Sequence, residues 1–582
     1  MCSSDLLFGA EACGIADWCV HTAAQYAKVR TQFGRPVGQF QGVKHRCARM
    51  LTAAEQAAAA VWDAARAHGD AGATAPEREL AAAVAAVVSL GAAVSCAHDA
   101  IQVLGGIGYT WDHDAHLYYR RALSLRALLG PSGAWATRAA ELALGGTRRT
   151  LEVDLADEAA AERGRIRAQL RAIATLDRGK HARELASGGW VMPHLPRPWG
   201  RAAGPAEQVI VAQEMKAAGL QPPQLAIGAW VVPALVQYGT PQQQERFLPR
   251  TLRGELVWCQ LFSEPGAGSD LAALATRAER AEGGWRITGQ KIWTSLARQA
   301  QWAICIARTD PGAPRHDGIT YLLVDMASPG LDVRPLREMT GDAIFNQVFL
   351  KDVLVPDACV VGKVNEGWRV ARTTLANERV ALSSSWGYGS GVKELLRLAT
   401  ARGAGGTRSA GGPWGAGGAR SAAAGERPAR DGATAAAAGA AADGGVAPGW
   451  PAADLRQLGE LVCEGHALDL LGLRVTLKQL SGTEPGATSS VRKLLGMQHA
   501  QRIADFCLAS LGPEGALDAR DATAVWRPDG SRDISGPAAG AYWSRQVLFT
   551  RALTIGGGTT DIQLNIIAER LLGLPRDPEP GA

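Results

Sequence analysis

The sequence lacks the features that mark several classes of protein. Its ten cysteines lie singly between Cys2 and Cys507 with no C-x-x-C pair, so neither a metal site nor a disulfide framework is indicated, and a reduced, cytoplasmic setting is expected. No run rich in Lys or Arg accompanies the formal net charge of +5, and nucleic acid is therefore not an expected partner. The opening residues, MCSSDLLFGAEACG, have no positively charged stretch before an apolar one, and no secretion signal is expected.

One uncharged stretch, Leu80–Ala97, is long enough to raise the question of a membrane span. It consists mostly of alanine, which contributes little hydrophobic free energy per residue. The stretch is therefore interpreted as a tightly packed helix of a bundle, and no membrane span is expected.

A chain of 582 residues, with 47% hydrophobic and 20% charged residues, is too long for a single core, and its length favours about three or four domains. Apolar periodicity predicts helices from about Leu6 to Leu144, with breaks at Gly34–Pro36, near 105–108 and at Gly130–Pro131. Further helices are predicted up to about Leu252, among them Glu207–Ala218 and Pro241–Leu252.

The pattern changes between Val257 and Val361, where alternating segments predict strands, as in GGWRITGQKIW, AQWAICIART and GITYLLVDM. Helices resume after Gly367 and continue to about Leu574. They are interrupted by Ala401–Trp450, which is mostly Ala and Gly and is expected to be a disordered insertion, because it cannot bury enough apolar surface to order itself. The predicted order is helical, helical, β, helical.

Two short segments carry the clearest chemical signal. The first, QLFSEPGAGSD at 260–270, has glycines that let the backbone approach a phosphate and serines that add hydroxyl donors, although a plain turn is the favoured reading of such a loop alone. The second, Trp293-Thr294-Ser295, offers a flat apolar wall beside polar atoms, which suits a flavin ring; a lone Trp on a strand is more often a core residue.

Together these segments resemble the acyl-CoA dehydrogenase family. The resemblance continues through Gly239-Thr240, Arg308-Thr309-Asp310 and Asn365-Glu366-Gly367-Trp368, and ends with GGGTTDIQLNIIAERLLGLPRD at 556–577. It implies an α fold with a central β-domain, divided into a helical N-terminal domain at 151–256, a β-barrel-like middle domain at 257–365 and a C-terminal four-helix bundle at 366–577.

The first block, 1–146, resembles a partial second copy of the family's C-terminal helical domain. It carries the R-x-x-F-G segment that begins at Arg30 and the Q-x-x-G-G segment that begins at Gln102, whereas the second copy has no R-x-x-F-G and reads LASLGPEG at 508–515. In the family these two segments hold the pyrophosphate and adenosine end of FAD bound by a neighbouring subunit. Each half lacks what the other has, and the resemblance therefore implies one composite FAD site per chain, formed within a chain or between two chains.

The resemblance assigns binding residues to both parts of this site and predicts no metal. The nucleotide end of FAD is assigned to Arg30, Gln32, Phe33, Gln41, Gln102, Gly105 and Gly106. The flavin half or the CoA arm is assigned to Leu261, Phe262, Ser263, Gly268, Ser269, Trp293, Thr294, Ser295, Thr559 and Asp561. Substrate contacts are assigned to Ser269 and Gly557.

The reaction of this family needs a carboxylate that removes the Cα proton of the acyl-CoA. In many members it is the Glu of Y-E-G-T, but that position here is Gly557, which cannot act as a base. A subset of the family uses a Glu on the first helix of the C-terminal domain, and the matching residue is Glu378. Asp561 is the second candidate, and a solvated helix face is the alternative interpretation of Glu378.

The resemblance implies an FAD-dependent enzyme that forms an α,β-double bond in an acyl-CoA thioester. The side chain missing at Gly557 opens volume beside the acyl chain, which suits a branched or bulky acyl group. The chain resembles the fused and heteromeric members of the family with unlike halves, and this resemblance implies a CoA thioester of a sterol side chain. An electron-transferring flavoprotein and a second copy of the chain, as a homodimer, are the expected partners. An acyl-CoA oxidase, or a non-catalytic flavin-binding or assembly subunit, are the alternatives.

Overall fold

A computed structural model gives the architecture of the chain. It describes Leu155 and Ser535 and the ranges 3–149, 159–385, 391–404, 450–480, 487–516 and 539–578. Most of the predicted insertion Ala401–Trp450 lies outside the described residues.

The first block is a bundle of long helices, as its periodicity predicts. A short hairpin of strands β1 (Thr31–Gln32) and β2 (Arg35–Pro36) follows the first helix. The helices are α1 (Ser3–Val29), α2 (Gln41–Gly69), α3 (Ala75–Leu104), α4 (Ala115–Leu128) and α5 (Ser132–Leu144).

The break between α2 and α3 was not predicted, although the sequence contains its signal. Thr74 caps α3 in a reciprocal pair with Glu77: the Thr74 side chain accepts from the Glu77 N–H, and the Glu77 carboxylate accepts from the Thr74 N–H at 2.8 Å. This T-x-x-E pattern is a capping box, which fixes the start of a helix.

The interpretation of Leu80–Ala97 as a packed bundle helix is confirmed, since it forms the middle of α3. The segment Ala75–Tyr109 is long and apolar enough to cross a membrane, but 72% of its most apolar stretch is buried inside the protein. Small residues such as Ala93, Cys96 and Ala100 bring α3 close to α1 and α2.

The next region, 159–255, is helical, and the two helices named from the sequence are present as α8 and α10. Thr240 begins α10 with a second capping box, which it forms with Gln243. The helices are α6 (Ala160–Ala174), α7 (Arg178–Ser187), α8 (Pro205–Ala217), α9 (Gly228–Tyr238) and α10 (Pro241–Leu252).

The predicted β-region forms one mainly antiparallel sheet, in which the neighbours run β10-β7-β6-β4-β5-β9-β8 and β3 pairs with β6 in parallel. β6 and β7 are buried along almost their whole length and form the centre of the core. The strands are β3 (Trp258–Leu261), β4 (Arg277–Ala281), β5 (Gly284–Lys291), β6 (Trp302–Arg308), β7 (Ile319–Asp325), β8 (Leu331–Pro335), β9 (Asn346–Pro356) and β10 (Val360–Val361).

A second helical bundle completes the chain, so the observed order is helical, helical, β, helical, as predicted. The domain limits 1–146, 151–256, 257–365 and 366–577 stay predictions. The helices are α11 (Gly367–Ser385), α12 (Gly391–Ala404), α13 (Ala452–Leu480), α14 (Thr488–Ser510), α15 (Ala539–Leu553) and α16 (Thr560–Arg570).

The first block and the last bundle share one hydrophobic core. Leu494 of α14 and Ile567 of α16 belong to the same buried cluster as residues of α1, α2 and α3. Polar pairs cross the same junction: the fully buried Lys44 Nζ lies 2.9 Å from Glu569 Oε1, and His466 Nε2 lies 3.0 Å from Asp63 Oδ2. Because the two bundles bury apolar surface against each other, their relative position is fixed by packing.

Candidate active site

The loop that follows β3 begins with buried residues and continues with exposed ones. Leu261 and Phe262 are buried and Ser263 is half-buried, whereas Gly266, Gly268 and Ser269 are exposed. The loop therefore presents its glycines and a serine hydroxyl at the surface, as a phosphate or CoA contact requires.

A buried ion pair holds this loop in place. Lys291 Nζ, which is fully buried, lies 2.8 Å from Glu264 Oε1 and donates to the carbonyl of Phe262 at 3.1 Å. The Glu264 carboxylate also accepts from the N–H groups of Ala275 at 2.6 Å and Thr276 at 3.0 Å. Burial opposes ionisation of Glu264, but Lys291 and these donors outweigh it and hold the pKa of this carboxyl below its usual value.

Trp293 is exposed, whereas the neighbouring Thr294 is buried. Trp293 has a left-handed backbone (φ 60°), and its side chain is 58% exposed and edge-on to Phe345. Thr294 is fully buried and is tied to Asn346 by paired backbone hydrogen bonds of 3.0 Å. Among the described residues, the Thr294 hydroxyl has no hydrogen-bond partner. A buried donor without a partner is costly, so the Thr294 hydroxyl is an unsatisfied polar group next to Trp293. Ser295, the next residue, is half-buried.

Glu378 lies on α11 and contacts the strand that leads into the loop. Gln260 Nε2 donates to Glu378 Oε2 at 3.3 Å, and Trp230 Nε1 donates to Gln260 Oε1 at 2.7 Å. One turn earlier on the helix, the Thr374 hydroxyl lies 3.1 Å from that of the buried Tyr321. This face of α11 therefore packs on the sheet, and the half-buried Glu378 does not belong to a solvated helix face.

The turn before α16 carries the residues predicted near the C-terminus. Gly557 and Gly558 both have positive φ (63° and 94°), which favours glycine, and Thr559 caps α16 by accepting from the Ile562 N–H. The side chain of Asp561 is 65% exposed, and its carboxylate lies 3.6 Å from His45 Nδ1. Asp561 is therefore a surface residue at the junction with the first block.

The motifs of the first block form an exposed surface at the same junction. Phe33, at the tip of the hairpin, is 92% exposed, and Gly105 has the left-handed backbone that ends α3 (φ 68°). Arg46 on α2 pairs with Asp99 on α3 at 2.5 Å, one turn before Gln102. The other predicted nucleotide contacts are exposed as well: Arg30, Gln32, Gln41, Gln102, Gly105 and Gly106.

Helix α2 of the first block contacts α16 of the last bundle within one chain. His45 Nε2 lies 2.9 Å from Asn565 Oδ1, and its Nδ1 faces Asp561 as described above. His45 is one turn after Gln41, and Asp561 is two residues after Thr559. His45, close to the predicted contact Gln41, therefore lies beside Asp561, a predicted contact from the other end of the sequence.

The residues present fit FAD in three respects. An exposed indole precedes Thr294, whose hydroxyl has no partner among the described residues; glycines of the 261–270 loop are exposed; and the first block exposes an arginine and a glycine pair. By contrast, the described part of the chain contains no cluster of three or more His, Cys, Asp or Glu side chains arranged for a metal ion.

Three domain models of one family match the chain. The one described as acyl-CoA dehydrogenase, C-terminal domain, matches residues 6–144 and again residues 452–572. The acyl-CoA dehydrogenase middle-domain model matches residues 259–353, and the N-terminal-domain model matches residues 152–255. The chain thus contains two copies of one domain type on either side of the other two.

Proteins named as acyl-CoA dehydrogenases are similar to this chain over much of its length. The acyl-CoA dehydrogenase FadE34 of Mycobacterium tuberculosis is 46% identical over 573 residues, which cover 98% of this chain and 70% of that protein. IpdE1 of the same organism is 38% identical over 59% of this chain and 74% of its own length.

Solved structures show the same fold. The Tcur3481-Tcur3483 steroid ACAD matches 73% of this chain and 100% of its own with a TM-score of 0.51 at 25% identity, and the ChsE4-ChsE5 complex from M. tuberculosis matches the same shares with a TM-score of 0.50 at 26% identity. The three domain matches and the near-complete match to FadE34 show that the chain belongs to the acyl-CoA dehydrogenase family, whose members are FAD-dependent.

Proposed function

We propose that the chain is an acyl-CoA dehydrogenase with one composite FAD site that closes within the chain. The observation that supports this proposal is the contact of His45 with Asp561 and Asn565, because it packs α2, which begins at Gln41, against α16, which follows the turn at Gly557. The hydrophobic core shared by the two bundles supports the same arrangement.

In the proposed site, different parts of the chain bind the two ends of FAD. Trp293, Thr294 and the loop at 261–270 hold the flavin end, with Thr294 using its unpaired hydroxyl. Arg30 meets the pyrophosphate with its guanidinium, and the Gly105-Gly106 pair lets the backbone approach the adenosine end. FAD held by these residues would supply the acceptor for the Cβ hydrogen of the substrate, which leaves as a hydride.

Glu378 is the proposed base that takes the Cα proton. Its carboxylate is held by Gln260, and the amide of Gln260 is oriented by Trp230, which can only donate. The carboxylate therefore has a fixed position at the strand that leads into the flavin loop, as general-base catalysis requires. The backbone N–H of Gly557 is the proposed donor to the thioester oxygen, because the loss of a side chain at this position leaves the N–H in place.

The substrate we propose is an acyl-CoA with a branched acyl group or a sterol side chain. Gly557 leaves room where many family members carry a glutamate, and steroid ACAD structures are among the structural matches. An electron-transferring flavoprotein as electron acceptor, a homodimer as the assembly and the cytoplasm as the location complete the proposal.

The test compares Glu378→Gln with the wild-type protein. The variant is expected to bind one FAD per chain and to keep its flavin oxidised when acyl-CoA is added anaerobically, whereas the wild type is bleached. Glu366→Gln, at an exposed carboxylate just before α11, is the matched control and should bleach normally. Bleaching of Glu378→Gln at the wild-type rate would refute the assignment of the base.

Two further readouts separate the alternatives. Hydrogen peroxide formed in air at the rate of turnover, without an acceptor flavoprotein, would identify an oxidase. A wild-type protein that stays colourless after FAD is added would identify a non-catalytic subunit.

A further inference from the structure

Lys493, on α14, lies fully buried beneath the turn that contains Gly557. Its Nζ lies 2.7 Å from the carbonyl oxygen of Gly556, 2.5 Å from that of Gly557 and 3.0 Å from that of Gly558. Three acceptors around one lysine nitrogen use all three N–H donors of an ammonium group. A buried cation therefore gathers three successive carbonyls on one side of the turn.

A second buried side chain supports the same carbonyls. Gln563, on the first turn of α16, is fully buried, and its Nε2 donates to the carbonyls of Gly557 at 3.1 Å and Gly558 at 3.3 Å. Donors on two different helices therefore hold the turn on the side of its carbonyl groups.

This arrangement determines where the N–H groups of the turn point. In a trans peptide the C=O and the following N–H point in opposite directions. Because the carbonyls of Gly556 and Gly557 face Lys493, the N–H groups of Gly557 and Gly558 face away from it. Neither N–H has an acceptor within the part of the chain that the structure describes. Successive N–H groups in such a turn form an anion-binding concavity.

We infer that Lys493 is a positioning residue for the oxyanion. Its charge fixes the turn and strengthens the N–H donor of Gly557, because hydrogen-bonded groups polarise one another. The charge thereby stabilises the enolate that forms when Glu378 removes the Cα proton. The inference rests on the proposed function, since it presumes an acyl thioester above the turn.

The two copies of the domain give an internal comparison. When Gln102 of the first copy is paired with Leu508 of the second, Val87 of α3 occupies the position of Lys493. The copy that carries the proposed oxyanion turn therefore has the lysine, and the copy that supplies only the nucleotide-binding surface has an apolar residue.

The experiment measures enolate binding directly, with acetoacetyl-CoA as the probe. The Cα proton of this ligand ionises to an enolate, and its apparent pKa on the protein reports how strongly the site stabilises the oxyanion. The variants are Lys493→Met, which removes the charge, and Lys493→Arg, which keeps it. Ser490→Ala, at a buried position one turn earlier on α14, is the matched control.

Lys493→Met is expected to lose about 10- to 100-fold in kcat, less than the loss of a direct oxyanion donor, and to raise the apparent pKa of bound acetoacetyl-CoA by about one unit or more. FAD stoichiometry and KM should stay close to wild type. Lys493→Arg should recover much of both effects, and Ser490→Ala should show neither.

Other outcomes are decisive as well. If Lys493→Met folds and binds the enolate as the wild type does, the inference is overturned while the proposed function stands. If Lys493→Met does not fold, Gln563→Met removes one of the two supports: a raised ligand pKa in that variant supports the inference, and an unchanged one overturns it. A wild-type protein that neither binds FAD nor is bleached by acyl-CoA overturns the proposed function and this inference together.

Discussion

Gln260 Nε2 donates to Glu378 Oε2 at 3.3 Å, while Gln260 Oε1 accepts from Trp230 Nε1 at 2.7 Å. Since an indole nitrogen can only donate, Trp230 determines which end of the Gln260 amide faces the glutamate. The amide N–H of Gln260 therefore faces the Glu378 carboxylate and orients it. Trp230 lies 30 positions before Gln260 in the sequence, on α9, and Glu378 lies 118 positions after it, on α11.

Gln260→Leu should therefore slow flavin reduction while leaving FAD bound. The carboxylate loses this donor, and we expect about a 10-fold lower rate of anaerobic bleaching, which is less than the roughly 10²- to 10⁴-fold that a general base itself contributes. Trp230→Phe should have a smaller effect in the same direction, because Gln260 can then rotate. Gln299→Leu, at an exposed glutamine of the same domain, is the control. A bleaching rate unchanged in Gln260→Leu would show that this contact does not position the base.

Lys291→Met should be strongly destabilising, because it leaves the buried carboxylate of Glu264 without its cation. Removing one partner of a buried pair costs about 3–5 kcal/mol. The double variant with Glu264→Gln should recover part of this loss, and denaturant unfolding of the four proteins gives the coupling energy. A Lys291→Met loss below about 1 kcal/mol, as for an exposed pair, would contradict the proposed anchoring of the flavin loop.

The stability of the loop should also depend on pH in a definite direction. The pKa of Glu264 is lower in the folded protein than its usual 4.5, so its ionised form contributes stability at neutral pH, and this contribution is lost as the pH falls below 4.5 through the folded pKa. The difference in unfolding free energy between wild type and Glu264→Gln should thus be greatest near neutrality and shrink below pH 4.5. A difference that stays constant from pH 7 to pH 3.5 would refute this linkage.

Arg30→Ala should weaken FAD binding without changing the chemistry of the flavin. The loss of a charge-assisted contact costs about 1.5–3 kcal/mol, which is a rise of about 10- to 150-fold in the dissociation constant. At saturating FAD the rate of bleaching should match the wild type. Arg49→Ala, at an exposed arginine on α2, is the control for the loss of a surface charge. An FAD affinity equal to that of the wild type would remove Arg30 from the cofactor site.

The sequence predicts the elements of the fold well, because their periodicities are long and clear. The β-region at 257–361 and the helix Pro241–Leu252 follow from local pattern alone. The start of α3 at Ala75 was not predicted, although Gly69 and Gly72 mark the break and Thr74 and Glu77 carry the capping signal.

The roles of the predicted site residues remain proposals. The structure shows neighbouring residues that the sequence did not indicate. Lys291 and Lys493 are fully buried, yet lysine in a helix or strand usually signals a solvated position. Gln260 is an ordinary residue until its contact with Glu378 is seen. The approach of His45 to Asp561 joins residues more than 500 positions apart, which no local pattern can predict.

The central claim, that each chain closes its own FAD site, is tested most directly by mixing two defective chains. One chain carries Arg30→Glu, which weakens binding of the nucleotide end of FAD, and the other carries Glu378→Gln, which removes the proposed base. Co-expressed and purified together at limiting FAD, the hybrid should be bleached by acyl-CoA no faster than the weighted average of the two variants alone, because no site in it is complete. Bleaching that rises well above this average in the hybrid would show that the first block of one chain serves the other, and would contradict closure within the chain.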